Sequence, residues 1–241
     1  MKEIKEYLAA RDEQIKINME DRDLKMTTSR FFREVVRSNW VKQFTWMGIP
    51  IMQLPGDLMV MQEIIWEGKF DWIIETGTAF GGMTLFYATC PTRWTTHVLT
   101  IDKDIRPHAR KVLTSRGGLH FIEGDSVSQK VIGVVKEMID GYERILVSLD
   151  SNHTQDHVLA ELRLYSPLVS VGSYIIIFDT TIEEYGHFDP ERNKRPWGPG
   201  NNPASAVKQF LQETDDFVVD KEVEQRALIT AAPGGFLRRV K

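Results

Sequence analysis

The chain has a single cysteine, Cys90, among 241 residues. An internal disulfide is therefore excluded, Cys90 reads as a small buried hydrophobe on a helix, and a reducing cytoplasm is the expected location. Basic runs are also missing: no stretch holds five or more Lys and Arg, and a net charge of −4 with a pI near 5.9 gives no general attraction to nucleic acid or anionic membrane. Long apolar runs are absent as well. Residues 1–25 are dense in charge and lack the apolar core of an export signal, and the longest apolar stretches elsewhere are strand-sized, so neither a leader nor a membrane span is expected. Internal repeats and low-complexity tracts do not occur. These absences favour small-molecule chemistry.

Hydrophobic residues make up 42% of the chain, enough for the core of one sizeable α/β domain with additions rather than two domains. Residues 1–45 carry apolar side chains at helical spacing, for example Phe31, Phe32, Val35 and Val36. Residues 46–56 break that pattern with Gly48, Pro50, Pro55 and Gly56, and Asp57 is placed to cap a helix running to about Glu67. This divides the chain into a helical N-terminal extension, 1–58, and a Rossmann-like body, 59–241. Apolar runs at 72–75, 97–101, 119–122, 144–149 and 173–178 predict strands separated by crossover helices, the alternation of a doubly wound, mostly parallel sheet. Runs at 217–219 and 236–237 predict an antiparallel pair that finishes it.

The most informative stretch is the first of these units. Trp72-Ile73-Ile74 stops at Glu75-Thr76-Gly77-Thr78-Ala79-Phe80-Gly81-Gly82, and the next strand stops at Asp102. Glycine allows a sharp turn close to a ligand, and an acid at the next strand tip can accept both hydrogen bonds of a ribose diol. An adenosine-containing cofactor is expected. The dinucleotide fingerprint fits poorly, because Ala79 stands where close approach to a pyrophosphate wants glycine, and Glu75 would repel that group. Glu75 suits a sulfonium and an ammonium, which favours S-adenosylmethionine over a nicotinamide. A tight αβ connection with no ligand is the bland alternative.

In an open α/β sheet ligands bind beyond the carboxyl ends of the strands, and here four strand ends deliver an aspartate: Asp102, Asp125 in Gly124-Asp125-Ser126, Asp150, and Asp179 in Phe178-Asp179-Thr180. Asp125 with Ser126 is read as the adenine side or as a helix cap. Carboxylates crowded on one rim repel unless a cation or donors balance them. His153, three residues past Asp150, can overhang the pocket and act as general base on a substrate hydroxyl, while Asp150 and Asp179 could share Mg²⁺. His157, one helical turn further, is left outside the site. The Gly- and Pro-rich segment 182–203 is expected to be a lid; Arg192, Lys194 and Arg195 on it are read either as a phosphate grip or as solvated charge, and Trp197 as a stacking platform or a loop pin.

Several of these residues form a combination that resembles a known family. Trp46-x-Gly48-x-Pro50, Gln53-x-Pro55-x-Asp57, Glu75-Thr76-Gly77, Asp150-x-x-His153, Gly172-Ser173-Tyr174 and Phe178-Asp179-Thr180 are similar to the cephalosporin hydroxylase and rhamnosyl O-methyltransferase family, from about residue 30 to the C-terminus. The resemblance implies a class I S-adenosylmethionine methyltransferase fold and magnesium-assisted methylation of sugar hydroxyls in natural products, with Asp150 and His153 in the site. It also marks a departure: where some relatives have Glu-Asp at the fifth strand end, this chain has Phe178-Asp179.

The expected protein is thus an O-methyltransferase. Glu75 and Gly77 would hold the methionine part of the cofactor, Asp102 the ribose, Asp125 and Ser126 the adenine side, with Thr76, Gly81 and Asp150 also in the cofactor site; His153, Asp150 and Asp179 would be catalytic, the two aspartates also binding metal. A small-molecule acceptor and a homo-oligomer are expected, with the N-terminal extension packing on a neighbouring subunit or on the acceptor site. A nicotinamide oxidoreductase and a non-catalytic scaffold remain as alternatives, as does β-lactam tailoring, although no oxygen-activating iron triad is visible.

Overall fold

The computed structural model describes residues 2–90 and 95–241. Seven strands form one sheet: β3 (Trp72–Thr76), β4 (His97–Asp102), β5 (Leu119–Glu123), β6 (Ile145–Leu149), β7 (Tyr174–Ile177), β8 (Phe217–Val219) and β9 (Phe236–Arg239), after a small hairpin of β1 (Thr45–Trp46) and β2 (Ile49–Pro50). The order across the sheet is β5-β4-β3-β6-β7-β9-β8, parallel except for β9, which runs antiparallel to both neighbours. All seven predicted strands are present within a residue or two of their expected bounds. Parallel strands buried on both faces read as continuous apolar runs, which makes them legible.

Alternate residues of each strand feed two cores. Ile73, Val98, Leu146, Ile176 and Phe236 face α3 (Pro55–Gly68) and α4 (Gly82–Thr89), while Ile74, Leu99, Val147, Ile175 and Leu237 face α6 (Gln129–Met138), α7 (Gln155–Tyr165) and α9 (Pro203–Glu213). Each such side chain, fully removed from water, stabilises by about 1.5–3 kcal/mol. Helix α5 (Pro107–Leu113) closes a small third cluster with Ile105 and Phe121.

The N-terminal residues are less separate than a tail. Helix α1 (Lys2–Glu20) lies against α10 (Lys221–Ala227) and buries Ile15, but α2 (Arg22–Arg37) places Phe32 and Val35 in the same core as Ile73. The hairpin after it turns through Met47 and Gly48, both at positive φ, the geometry that suits a two-residue hairpin. Trp46 anchors it, donating its ring N–H to Thr89 Oγ1 at 2.7 Å and meeting Phe86 edge-on.

Asp57 corrects one expectation. Helix α3 starts with Pro55 in its first turn and no side-chain cap, and Asp57 lies inside that turn, fully buried, accepting from the Ala231 N–H at 2.8 Å. Pro55 fixes the backbone angle for a helix start, which frees Asp57 to tie α3 to the segment before β9. Burial pushes its carboxyl up to about 7. Cys90 is buried at the end of α4 with its thiol pushed up to about 12 by burial, as expected for an inert core residue.

Candidate active site

The chain runs outward from β3 through β4 to β5 and then returns to β6 on the other side of β3. This reversal opens a crevice at the carboxyl ends of β3 and β6, where ligands of α/β sheets bind. Gly77 and Asp150 sit on its two lips and touch. Gly77 has φ +94°, and a Cβ there would lie 2.0 Å from the Asp150 carbonyl oxygen. Only glycine fits, for backbone angle and for space. Gly82 is constrained by space alone: a Cβ would lie 2.2 Å from the Pro50 carbonyl oxygen, so the β1–β2 hairpin roofs the first turn of α4.

A cavity of about 470 Å³ opens from this crevice. Gly77, Thr78, Ala79 and Phe80 line one wall and Gln53, Asp150, Ser151 and His153 another, with Asp179 at the strand end beside them. His153 Nε2 lies 3.2 Å from Asp179 Oδ2, and Gln53 donates to Asp150 Oδ2 at 3.0 Å. Asp179 holds a left-handed backbone at φ +57°, which Asp tolerates better than most residues and which sets its carboxylate beside His153 rather than along the sheet. Trp197 meets the His153 ring edge-on at 4.8 Å and fixes its orientation.

Asp150, His153 and Asp179 each offer a ligand atom, all within 4.8 Å of one another. Burial, then the charges of Asp179, Glu75 and Glu161, hold the Asp150 carboxyl well above the usual carboxylate range. A divalent cation relieves that repulsion, and two carboxylates supply the hard oxygens that suit magnesium. The expected metal pair therefore fits a cation, with His153 beside it. Phe178 contributes nothing to it, because its side chain is buried in the core with Ile73 and Phe236.

The other predicted cofactor residues surround the crevice without lining this cavity. Glu75 is sealed beneath the turn, its carboxylate taking a short hydrogen bond from Thr84 Oγ1, and burial pushes it up to about 7. Thr76 is buried and its carbonyl accepts from the Asp150 N–H at 2.9 Å. Gly81, at φ +85°, leads into α4. Asp102 binds its own protein: Oδ2 accepts from the Thr78 and Ala79 N–H groups at 2.9 and 3.2 Å, and Oδ1 from Asp104 N–H at 3.1 Å. It holds the glycine turn to the tip of β4, and lone pairs remain for a diol. Asp125 is exposed and accepts from the Val127 N–H, while Ser126 is buried and donates to Glu161 Oε1 at 2.6 Å.

Segment 182–203 covers the crevice through Ile182, Gly186, Arg192, Arg195 and Trp197, and is built from short helical turns, including α8 (Ile182–Tyr185), rather than irregular chain. Glu183 holds it closed at its far end by accepting from the Gly200 N–H and from Asn202. Arg192 and Arg195 reach the cavity, and both Arg195 and Lys194 pair with Glu191. Residues with no predicted role in the site complete the wall: Val36, Asn39, Val41 and Lys42, from the end of α2 onward, place the N-terminal extension against the site, one of the two positions expected for it. His157, left outside it, joins Ser126, Ser151 and Glu161 behind the crevice.

The family described as rhamnosyl O-methyltransferase/CmcI matches residues 38–240. This chain belongs to that family. Rhamnosyl O-methyltransferases from Mycobacterium bovis strain BCG and from Mycobacterium leprae are 32% and 31% identical to it, over 83% and 81% of this chain and 79% and 82% of theirs. Two solved CmcI structures, one described as holding Mg and SAM and one as an apo form, share the fold at TM-scores of 0.59 and 0.58 with 17% and 18% identity, covering 83% of this chain and 78% and 77% of theirs. The rhamnosyl O-methyltransferase/CmcI family thus replaces the nicotinamide and scaffold alternatives with an S-adenosylmethionine-dependent O-methyltransferase on a class I methyltransferase fold.

Proposed function

We propose that this protein transfers the methyl group of S-adenosylmethionine to a hydroxyl of a sugar or glycosylated small molecule, with His153 as general base. The observation that carries the reading is the juxtaposition of the glycine turn after β3 with Asp150, His153 and Asp179 in one covered cavity. The curated relatives named as rhamnosyl O-methyltransferases point to a sugar acceptor. When bound, S-adenosylmethionine supplies an electrophilic methyl on a sulfonium, and a magnesium ion held by Asp150 and Asp179 would make an acceptor hydroxyl more acidic.

The chain's own residues do the rest. Gly77 lets the turn lie directly against the Asp150 loop, so the floor for the methionine part and the acceptor-binding wall form one rigid unit. Glu75 does not reach the cavity; it lies sealed beneath the turn, where it accepts from Thr84 and supports the turn from below. Asp179 Oδ2 orients the imidazole of His153, whose role is to take the proton of the acceptor hydroxyl. Trp197 and segment 182–203 exclude water and present an aromatic face beside the acceptor. Holding oxygen, carbon and sulfur in line supplies much of the remaining acceleration.

The test is a methyl-transfer assay with sugar acceptors. His153→Ala should lower kcat by about a hundredfold or more while cofactor affinity stays unchanged. A variant with full activity would remove His153 from the mechanism, and a wild type that binds no S-adenosylmethionine would remove the reading itself.

A further inference from the structure

Behind the crevice, the sheet-facing side of α7 carries three polar residues one turn apart, His157, Glu161 and Tyr165. Glu161 is fully buried, yet its Oε1 accepts from two hydroxyls on two different strand-end loops: Ser126 after β5 at 2.6 Å and Ser151 after β6 at 2.7 Å. His157 Nε2 lies 3.2 Å from each of those hydroxyls and 3.4 Å from Glu161 Oε1. Tyr165 donates to the Ser126 carbonyl at 2.9 Å. Desolvation pulls His157 down, but the hydrogen bond and charge of Glu161, with Asp125 beyond it, outweigh that effect and raise it. A carboxyl group at zero exposure is costly to bury, and a structural role for one helix face would be met more cheaply by apolar residues.

We propose that Glu161, supported by His157, is a positioning residue for the cofactor: it locks the Ser126 loop and the Ser151 loop into one spacing, and so sets the distance between the adenine side of the site and the catalytic Asp150–His153 segment. The inference rests on the reading above that the cofactor lies across the ends of β3, β4 and β5. Its chemistry follows from a single acceptor shared by two loops. Without that acceptor the two hydroxyls keep only the His157 ring nitrogen between them, and the tie between the loops, one carrying Asp125 and the other Asp150, is weakened. Neither serine needs to touch the cofactor for this to matter, because the spacing of the loops is what the cofactor spans.

The experiment uses the full-length protein and S-adenosylhomocysteine as probe, titrated calorimetrically, with steady-state methyl transfer in parallel. Wild type must bind the probe; if it does not, the cofactor reading fails before this inference is reached. Glu161→Ala should raise the probe Kd and the cofactor KM by about tenfold or more, the effect of losing two buried hydrogen bonds, with the acceptor KM unchanged. Glu161→Gln, which keeps an oxygen for both serines, should recover most of that affinity. Ser126→Ala and Ser151→Ala should each weaken binding in the wild-type background and have no further effect in the Glu161→Ala background. Should Glu161→Ala fail to fold, the serine variants and Glu161→Gln carry the test alone. Equal changes in cofactor and acceptor KM, additive serine effects, or no change in probe affinity would overturn the proposal.

Discussion

Replacing Gly77 with alanine probes the contact on which the site depends. The added Cβ would sit 2.0 Å from the Asp150 carbonyl oxygen, and because such contacts are essentially never closer than 3.0 Å, the two loops must separate by at least the 1.0 Å difference. Alanine at φ +94° adds about 1–2 kcal/mol of left-handed strain, and forcing the loops apart adds about 1–3 kcal/mol of overpacking. The sum is a loss of about 2–5 kcal/mol. Displacing Asp150 by about 1 Å should also lower the rate of methyl transfer by about a hundredfold. Gly141→Ala is the internal control: Gly141 is at φ +79° with nothing within 4 Å of an added Cβ, so it suffers the strain without the collision. Urea denaturation and single-turnover methyl transfer, run on both variants, separate the two effects. If Gly77→Ala were as stable and as fast as Gly141→Ala, the claim that this contact sets the site's geometry would be refuted.

Stability should also depend on pH in a particular direction. Asp57 and Glu75 keep their protons up to about 7 when folded, whereas unfolded carboxyls lose theirs near 4, so the ligand-free protein should lose about 2–4 kcal/mol per group as pH rises from about 4 to about 7; a melting temperature that rises over that range contradicts the burial argument, and Asp57→Asn should flatten the profile. Calorimetry should detect Mg²⁺ binding that Asp150→Asn or Asp179→Asn abolishes, and thermal protection by the cation should be greater at neutral than at acidic pH; retained binding in both variants would place the cation elsewhere. Removing residues 1–20 deletes a helix that lies against α10, buries Ile15 and leaves Ile4 and Tyr7 63% and 73% exposed. The truncated chain should fold and bind cofactor but elute as a smaller assembly, and unchanged elution would end the idea that α1 packs on a neighbouring subunit.

The sheet is legible because its strands are buried on both faces: Ile73-Ile74, Leu146-Val147 and Ile175-Ile176 leave no polar interruption, and each run stops where an acid or glycine marks the strand end. The rim of aspartates follows from the same endings. What cannot be read is anything fixed by distant partners. Asp57 looks like a helix cap in the chain, and only the fold brings Ala231 to it. Glu161 sits on a helix with no local sign of function, yet Ser126, 35 positions earlier, shares its oxygen with Ser151. Asp102, a residue expected to face a ribose, also ties down its own glycine turn, a bond set by the register of β3 on β4 rather than by residue type. The hairpin at Thr45–Pro50 reads as a break because two-residue strands give no periodic signal.

The central claim, methyl transfer to a sugar hydroxyl in the Asp150–His153–Asp179 cavity, is tested most directly by following a labelled methyl group from S-adenosylmethionine onto glycosides and their matched aglycones. The account predicts label on the sugar of glycosides, none on the aglycones, and loss of transfer in His153→Ala with cofactor binding intact. Label on the aglycones alone, or transfer undiminished in His153→Ala, would contradict it.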